Sequence, residues 1–223
     1  MVLLSGGLDS VVNLKCAIDE CEVGLALTFD YGQAAFANEK HAAAGCAERY
    51  GIPHQVVDLR WYEHLLPGAI SGLGEALSFG ERLPEDGEGL LNEAWVPNRN
   101  CVFLSIGGAF AEASGADGVV IGINREEAEV FPDNTEAFRD AMNSVLSIST
   151  RSGVRVVTYT SGMSKKEIVE LGRRIGAPLD LIYSCYRRSD DQRMCGSCQS
   201  CMRLKTALRK NQILDEFKGR FAS

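Results

Sequence analysis

The chain has 223 residues, 45% of them hydrophobic and 24% charged, which is the composition of one globular domain with a sizeable core, or two at most. No apolar run approaches the roughly 20 residues of a membrane-spanning helix, and we expect neither a membrane span nor a signal peptide. The 30 acidic and 23 basic side chains give a net charge of −7, which argues against a broad nucleic-acid-binding surface.

The periodicity of apolar residues predicts strands and helices in alternation along the chain. Such an alternation is typical of a mostly parallel sheet covered by helices on both faces, the doubly wound, three-layer α/β class. We expect strands at 2–4, 23–29, 55–59, 119–121 and 155–158, and helices at 11–18, 38–50, 102–113, 135–146 and 164–175.

Residues 66–94 interrupt this alternation with six glycines, six acidic residues and a single basic residue. A connection of this length is uncommon unless it has a function, so a mobile lid over a site and a plain surface excursion are both open interpretations. We expect residues 1–184 to form the α/β domain. Residues 185–223 are expected to form a helical, cysteine-bearing segment that packs on it.

The C-terminal segment differs from the rest of the chain in charge and in cysteine content. It carries nine Lys or Arg against four Asp or Glu, a net charge of +5, which leaves −12 for residues 1–184. Four of the eight cysteines crowd into it, with nine residues between the first two and two residues between each later pair. In the reducing cytoplasm that we expect for this chain, such a cluster binds metal more often than it forms disulfides. Its members are Cys185, Cys195, Cys198 and Cys201.

Four thiolates without an open coordination position are typical of a structural zinc site. An iron–sulfur cluster and metal-free thiols are the alternatives to zinc. Basic residues surround the cluster, and we interpret most of them as a solvated face, although a guanidinium of Arg187 or Arg203 would also suit a phosphate or a carboxylate. The full set is Arg187, Arg188, Arg193, Arg203, Lys205, Arg209 and Lys210.

A glycine-containing turn, Ser5-Gly6-Gly7-Leu8-Asp9-Ser10, lies between the first predicted strand and the first predicted helix. In an open parallel sheet, ligands bind outside the carboxyl ends of the strands. Glycines let the backbone approach an anion there, and the N–H groups at the helix start point at it. The turn is neither a Walker loop nor a dinucleotide fingerprint. The plain alternative is a tight turn in which Asp9 or Ser10 caps the helix.

This hexapeptide resembles the pyrophosphate-binding loop of the adenine nucleotide alpha-hydrolases, the PP-loop ATPases. The resemblance implies that ATP, with Mg²⁺, is cleaved between its α and β phosphates and that AMP passes to an oxygen of the substrate. It implies catalytic roles for Ser5, Asp9 and Ser10. The nucleotide-binding residues that it implies are Leu4, Ser5, Gly6, Gly7, Leu8, Asp9, Ser10, Val11, Val12, Asn13, Leu14, Phe29, Asp30, Tyr31 and Gln33.

Further segments indicate which family of this superfamily the chain resembles, because they follow one another in a characteristic order. They are residues 28–33, 95–100, 122–124, 131–134, 184–186 and 195–203. Together with the loop, they resemble the 7-cyano-7-deazaguanine synthase (QueC) family over essentially the whole chain. The resemblance implies a carbon–nitrogen ligase that adenylates 7-carboxy-7-deazaguanine, adds ammonia to give an amide, activates the amide again and eliminates to the nitrile. It also implies a zinc ion on the four cysteines and a homodimer, without a membrane or direct nucleic-acid contact.

The same resemblance assigns the substrate pocket residue by residue. Arg99 is expected to contact the substrate and to act in catalysis, and Asp133 is expected to accept two hydrogen bonds from the guanine-like edge of the base. The remaining pocket residues that it implies are Asn100, Asn124, Glu126 and Phe131.

Two departures from the family pattern affect this region. The chain has Asn98 where the family usually has glycine, and residues 130–134 read Val-Phe-Pro-Asp-Asn where the family usually has Gly-Tyr-Pro-Asp-Cys. The second departure keeps open a relative that attaches the activated deazaguanine to a different amine. A PP-loop enzyme that modifies tRNA and a non-catalytic zinc module are further alternatives.

Overall fold

A computed structural model describes residues 1–65 and 95–222 of the chain. Its centre is a five-stranded, wholly parallel sheet in the order β3-β2-β1-β4-β5. This confirms the predicted α/β class. The lid prediction for residues 66–94 lies outside the described residues. The strands are β1 (Val2–Leu3), β2 (Ala26–Asp30), β3 (His54–Asp58), β4 (Gly118–Val120) and β5 (Arg155–Val157).

Seven helices accompany the sheet in the part of the chain that the structure describes. They are α1 (Leu8–Glu20), α2 (Phe36–Arg49), α3 (Arg99–Ser114), α4 (Arg125–Ala128), α5 (Glu136–Ser149), α6 (Lys165–Arg174) and α7 (Gln199–Lys210). Three short 3-10 segments span Arg60–Leu65, Pro132–Asn134 and Leu214–Arg220. The predicted strands and helices are all present, with ends shifted by a few residues, whereas α4 and the 3-10 segments were not predicted.

The start of α3 shows how one residue sets such an end. The helix begins at Arg99, three residues before the predicted start, because the carbonyl of Asn98 accepts a hydrogen bond from the Val102 N–H. Asn98 has φ 57° and ψ 22°, in the left-handed region that asparagine tolerates better than most residues. The asparagine therefore takes the backbone conformation for which glycine is otherwise suited.

Helices cover both faces of the sheet, so the fold has three layers. Successive residues of one strand face opposite cores: Val2 packs with α1, α2 and α6, whereas Leu3 packs with α3 and α5. The C-terminal segment joins the first of these cores through Leu204 and Leu208 of α7. The domain division at residue 184 stays a prediction. No helix of the described residues has the length and apolar character needed to cross a bilayer.

The strand order creates a crevice beside β1. From β1 the chain builds β2 and β3 on one side and then crosses to build β4 and β5 on the other, so connections diverge between β1 and β4. Gly122, just after β4, lies against the start of α1: a Cβ atom there would be 2.6 Å from the Ser10 nitrogen and 2.7 Å from the Asp9 carbonyl carbon. The close approach of these two segments therefore requires glycine.

We expect Gly122→Ala to lower the free energy of unfolding by about 2 kcal/mol, because backbone atoms cannot yield to the added methyl as a side chain would. Urea unfolding of both proteins measures the difference. Gly24→Ala is the control, since a Cβ at Gly24 meets nothing within 4 Å and should change stability little. Equal stability of the two variants would contradict the close approach.

Candidate active site and metal centre

The loop at residues 5–10 is closed by its own hydroxyl groups. The Gly7 N–H donates to Ser5 Oγ (3.3 Å), Ser5 Oγ donates to Ser10 Oγ (3.1 Å), and Ser10 Oγ donates to the Gly7 carbonyl (3.0 Å). Gly6 has φ 76°, and a Cβ there would be 2.7 Å from the Glu39 carbonyl oxygen. The first of the two glycines is thus required by both conformation and space.

Helix α1 starts at Leu8 without a side-chain cap, so the interpretation of Asp9 or Ser10 as a helix cap is wrong. Asp9 Oδ2 instead accepts hydrogen bonds from Asn124 Nδ2 (2.9 Å) and Lys165 Nζ (2.5 Å). Its second oxygen, Oδ1, is buried and has no hydrogen-bond partner among the described residues. A buried carboxylate oxygen without a partner fits a bound cation, and Mg²⁺ prefers oxygen ligands of this kind.

Lys165 and Glu127, two residues that the sequence analysis missed, complete the charge cluster around Asp9. Lys165 Nζ lies 2.9 Å from Glu127 Oε1. Burial disfavours ionisation of Glu127, but the attraction of Lys165 outweighs it and lowers the pKa of Glu127 to about 2. The two carboxylates likewise raise the pKa of Lys165 above its usual range, although burial opposes this. For Asp9 burial has the larger effect and raises the pKa.

Glu126, the residue before Glu127, was predicted to bind the substrate but lies outside the charge cluster around Asp9. Its Oε1 accepts a hydrogen bond from the Lys165 backbone N–H (2.9 Å), so it binds the start of α6. Asn124 has two bonds: besides contacting Asp9, its Oδ1 accepts from the Glu127 N–H (2.9 Å) and so caps α4. Asn124 and Glu126 thus support the cluster of Asp9, Lys165 and Glu127 and do not line the pocket.

A pocket of about 220 Å³ opens over the loop at the carboxyl ends of β1, β2 and β4. Twelve of the residues predicted to bind the nucleotide or the substrate line it together: Leu4, Ser5, Gly7, Leu8, Asp9, Ser10, Phe29, Tyr31, Gln33, Arg99, Asn100 and Phe131. Nine others do not: Gly6, Val11, Val12, Asn13, Leu14, Asp30, Asn124, Glu126 and Asp133. Several of the nine are structural, since Val11, Val12 and Leu14 lie in the core.

Aromatic rings and one guanidinium form part of the pocket wall. Phe29 stacks on Phe103, with ring centres 4.1 Å apart, and Tyr31 lies 5.5 Å from the same ring. The Arg99 guanidinium approaches the Tyr31 hydroxyl at 3.5 Å. Burial raises the pKa of Tyr31 to about 12, so its hydroxyl is neutral at physiological pH. Phe131, farther along the wall, stacks on Trp95 at 5.9 Å.

The carboxylate of Asp133 is engaged within the protein. Oδ2 accepts from the Asn100 N–H (3.3 Å), and Oδ1 accepts from Asn134 Nδ2 (2.9 Å). Asn100 Nδ2 also donates to the Asp133 carbonyl. Asn100 and Asn134 line the pocket, whereas Asp133 lies behind them.

The four C-terminal cysteines converge on one point. All four Sγ atoms lie within 4.8 Å of one another, and two of the pairs, Cys185–Cys198 and Cys195–Cys201, are 3.9 Å apart. A tetrahedral ion with metal–sulfur bonds of about 2.3 Å has an edge of roughly 3.8 Å. Backbone N–H groups of residues 187, 195 and 198 point at the sulfur atoms, which favours thiolates. The cluster is therefore arranged to bind a metal ion.

Residues 183–201, which contain the four cysteines and are called the metal-binding segment here, also form a wall of the pocket. The residues of this segment that line it are Tyr183, Ser184, Cys185, Tyr186 and Ser200. The Tyr183 N–H donates to the Gly6 carbonyl (2.8 Å) in the loop. Asn38 of α2 holds the stretch between the first two cysteines: its Nδ2 donates to the Ser189 carbonyl and its Oδ1 accepts from the Ser189 N–H. Arg187 and Arg203, the two guanidiniums considered for anion binding, are not among the residues that line the pocket.

Comparison with known proteins supports one family. Residues 1–212 match the family described as "Queuosine biosynthesis protein QueC". A 7-cyano-7-deazaguanine synthase from Pelotomaculum thermopropionicum is 48% identical over 91% of this chain and 93% of its own. Proteins of the same name from Desulforudis audaxviator and Methanothermobacter thermautotrophicus are each 45% identical, over 94% and 92% of this chain and 96% and 91% of their own.

We expect Cys198→Ser to reduce bound metal from about one ion per chain to well under half, because a hydroxyl is a poor replacement for a thiolate. The free energy of unfolding should fall with it, since metal binding contributes to folding. Elemental analysis and urea unfolding measure both. The exposed Cys21 supplies the control, Cys21→Ser, which should retain the metal. Full metal content in the Cys198 variant would contradict the four-cysteine site.

Proposed function

We propose that this chain, which belongs to the queuosine biosynthesis protein QueC family, converts 7-carboxy-7-deazaguanine and ammonia to 7-cyano-7-deazaguanine with ATP. It would thus be an ATP-dependent carbon–nitrogen ligase. The relatives carry the name of this product, and they match the chain over more than nine-tenths of its length. One observation carries the assignment to ATP: Asp9 Oδ1, which has no partner among residues 1–65 and 95–222, is buried beside a glycine loop at the crevice of a parallel sheet.

The loop is the part that we assign to the phosphate chain of ATP. N–H groups at the start of α1 and the ammonium of Lys165 supply positive charge to it. Asp9 Oδ1 would hold Mg²⁺, which neutralises the charge of the leaving pyrophosphate. Lys165 is already charged and fixed between two carboxylates, so little reorganisation precedes the reaction.

The reaction that we propose consists of two activations of the same carbon. The substrate carboxylate displaces pyrophosphate from ATP to give an acyl adenylate, and ammonia then displaces AMP to give the amide. The amide oxygen displaces pyrophosphate from a second ATP. Loss of AMP and of the nitrogen-bound protons then leaves the nitrile. Three of the four steps join an oxygen or nitrogen to an electrophile and the last is an elimination, so positioning and charge neutralisation supply most of the catalysis.

The pocket wall farther from the loop suits the deazaguanine ring and its carboxylate. Arg99 offers a partly buried guanidinium to the carboxylate, and Phe131 offers a ring face to the heterocycle. We assign the base edge to the amides of Asn100 and Asn134, which line this wall. Asp133 then acts by fixing both amides: its backbone carbonyl accepts from the Asn100 amide, and its carboxylate accepts from the Asn134 amide.

Zinc is the metal that we propose for the four cysteines. Four sulfur atoms within 4.8 Å of one another suit a single tetrahedral ion. An iron–sulfur cluster would distribute the thiolates over several irons and hold them farther apart. With all four positions filled by protein, the ion would be structural and would take no substrate.

We also propose that the chain forms a homodimer and that it is located in the cytoplasm. Helix α5 leaves two large apolar side chains in solvent, Val145 at 48% and Ile148 at 87% exposure, which supports a covered face in an oligomer. A reducing compartment such as the cytoplasm suits a cysteine cluster that is arranged to bind a metal, because thiols stay reduced there.

Incubation with ATP, Mg²⁺, ammonium and 7-carboxy-7-deazaguanine should yield the nitrile, with the amide as a transient species. Mass spectrometry of the base and the release of two AMP per nitrile measure both steps. Omission of ammonium should stop the reaction at the adenylate. Consumption of ATP that ends at the amide would instead indicate a different final acceptor, and no ATP consumption would contradict the proposed function.

We expect Asp9→Ala to reduce turnover at least about 100-fold, because it removes the carboxylate assigned to the cation. The variant should fold, since Lys165 keeps Glu127 as its counter-ion. Circular dichroism checks the fold and AMP release measures turnover. The matched control is Asp19→Ala on the same helix, whose partly exposed carboxylate pairs only with Lys15 among the described residues. Turnover within twofold of the unmodified protein would exclude Asp9 from the site.

A further inference from the structure

The two hydroxyl groups of the loop have no proton left for a ligand. Ser5 donates its proton to Ser10, and Ser10 donates its proton to the Gly7 carbonyl. Both side chains therefore stabilise the shape of the loop. A hydroxyl that donates to a bound anion must come from another part of the pocket.

Ser184 supplies such a hydroxyl. Its Oγ accepts a hydrogen bond from the Leu8 N–H at 3.3 Å, at the first residue of α1. The hydroxyl donates to no acceptor within the described residues, and the side chain lines the pocket. Since a hydroxyl donates once and accepts twice, Ser184 can keep its bond to Leu8 while it donates to a ligand.

The position of Ser184 is fixed on both sides. The preceding residue, Tyr183, donates its N–H to the Gly6 carbonyl, and the following residue, Cys185, belongs to the metal-binding cluster. The Ser184 N–H itself points at Met194 Sδ (3.3 Å), next to Cys195. The hydroxyl is thus presented to the loop by the metal-binding segment, 176 residues away from Leu8 in sequence.

We propose that Ser184 binds the polyphosphate chain of the nucleotide, with its hydroxyl as a donor to a phosphate oxygen. The inference rests on the proposed ATP use of the same pocket. A hydrogen bond to a charged oxygen is stronger than one between neutral groups, and the loop itself offers no hydroxyl in its place. Ser184 would bind the anion directly, beside the backbone N–H groups of α1.

Binding of Mg-ATP, Mg-pyrophosphate and AMP, measured by calorimetry on the metal-loaded protein, tests this contact. Ser184→Ala should weaken Mg-ATP and Mg-pyrophosphate about tenfold and leave AMP unchanged, because AMP lacks the β and γ phosphates. Ser184→Thr keeps the hydroxyl and should restore most of the affinity. Ser189→Ala, in the same segment, is the control: its hydroxyl donates to Asp191 and its backbone contacts with Asn38 remain.

Four results would overturn the proposal. Unchanged pyrophosphate affinity in Ser184→Ala would exclude the contact. Equal weakening of all three ligands, or loss of metal from this variant by elemental analysis, would assign Ser184 a purely structural role. If the unmodified protein binds neither Mg-ATP nor Mg-pyrophosphate, the proposed function itself fails, and the first arm of the experiment detects this separately.

Discussion

The ammonium of Lys165 between Asp9 and Glu127 is the interaction on which the site depends. The three residues follow three different strands, β1, β4 and β5, so one ion cluster joins the carboxyl ends of three of the five strands. Removal of Lys165 would leave both carboxylates without their counter-ion, and breaking a buried ion pair in this way typically costs about 3–5 kcal/mol, a large share of a domain's stability. Two carboxylates share one ammonium, and Asp9 Oδ1 has no hydrogen-bond partner within the part of the chain that the structure describes.

The crevice beside β1 follows from this cluster and from small residues around it. Gly122 lets the end of β4 approach α1, and Asn124, two residues later, reaches Asp9 and caps α4 with one amide. The same amide thus orients the carboxylate and starts the helix that carries Glu127. Both functions of Asn124 depend on its position after β4, so the end of this strand orients both Asp9 and the helix that carries Glu127.

The features that the sequence predicts are formed by residues close together in the chain. The features that it does not predict are formed by residues that are far apart in the sequence. The loop and the cysteine cluster are contiguous patterns with a chemical meaning of their own. Lys165 was missed because it belongs to no motif and stands beside a second lysine, Lys166, although a lysine in the first turn of a helix is electrostatically disfavoured and could have signalled an acidic partner. Glu126 and Glu127 are adjacent, and in a four-residue helix no periodicity shows which of them faces the pocket.

Strand and helix alternation gave the fold class for the same reason: each element is a local pattern. Their ends depend on contacts that the pattern does not contain. Asn98 in its left-handed conformation starts α3, and Asp133, which a family likeness places at the base edge, turns to Asn100 and Asn134 in the folded chain. A residue can therefore position the residues that line a pocket without lining it itself.

The pocket is complete only when the last quarter of the chain returns to the first ten residues. Tyr183 bonds to Gly6, and Asn38 holds the stretch between the first two cysteines against α2. Cys185, Tyr186 and Ser200 then close the wall beside the loop. The cysteine cluster belongs to this segment, so the same contacts hold the cluster and shape the pocket wall beside the loop. A metal ion bound by the four cysteines would therefore stabilise the pocket as well as the fold, because the wall that it anchors is part of the pocket.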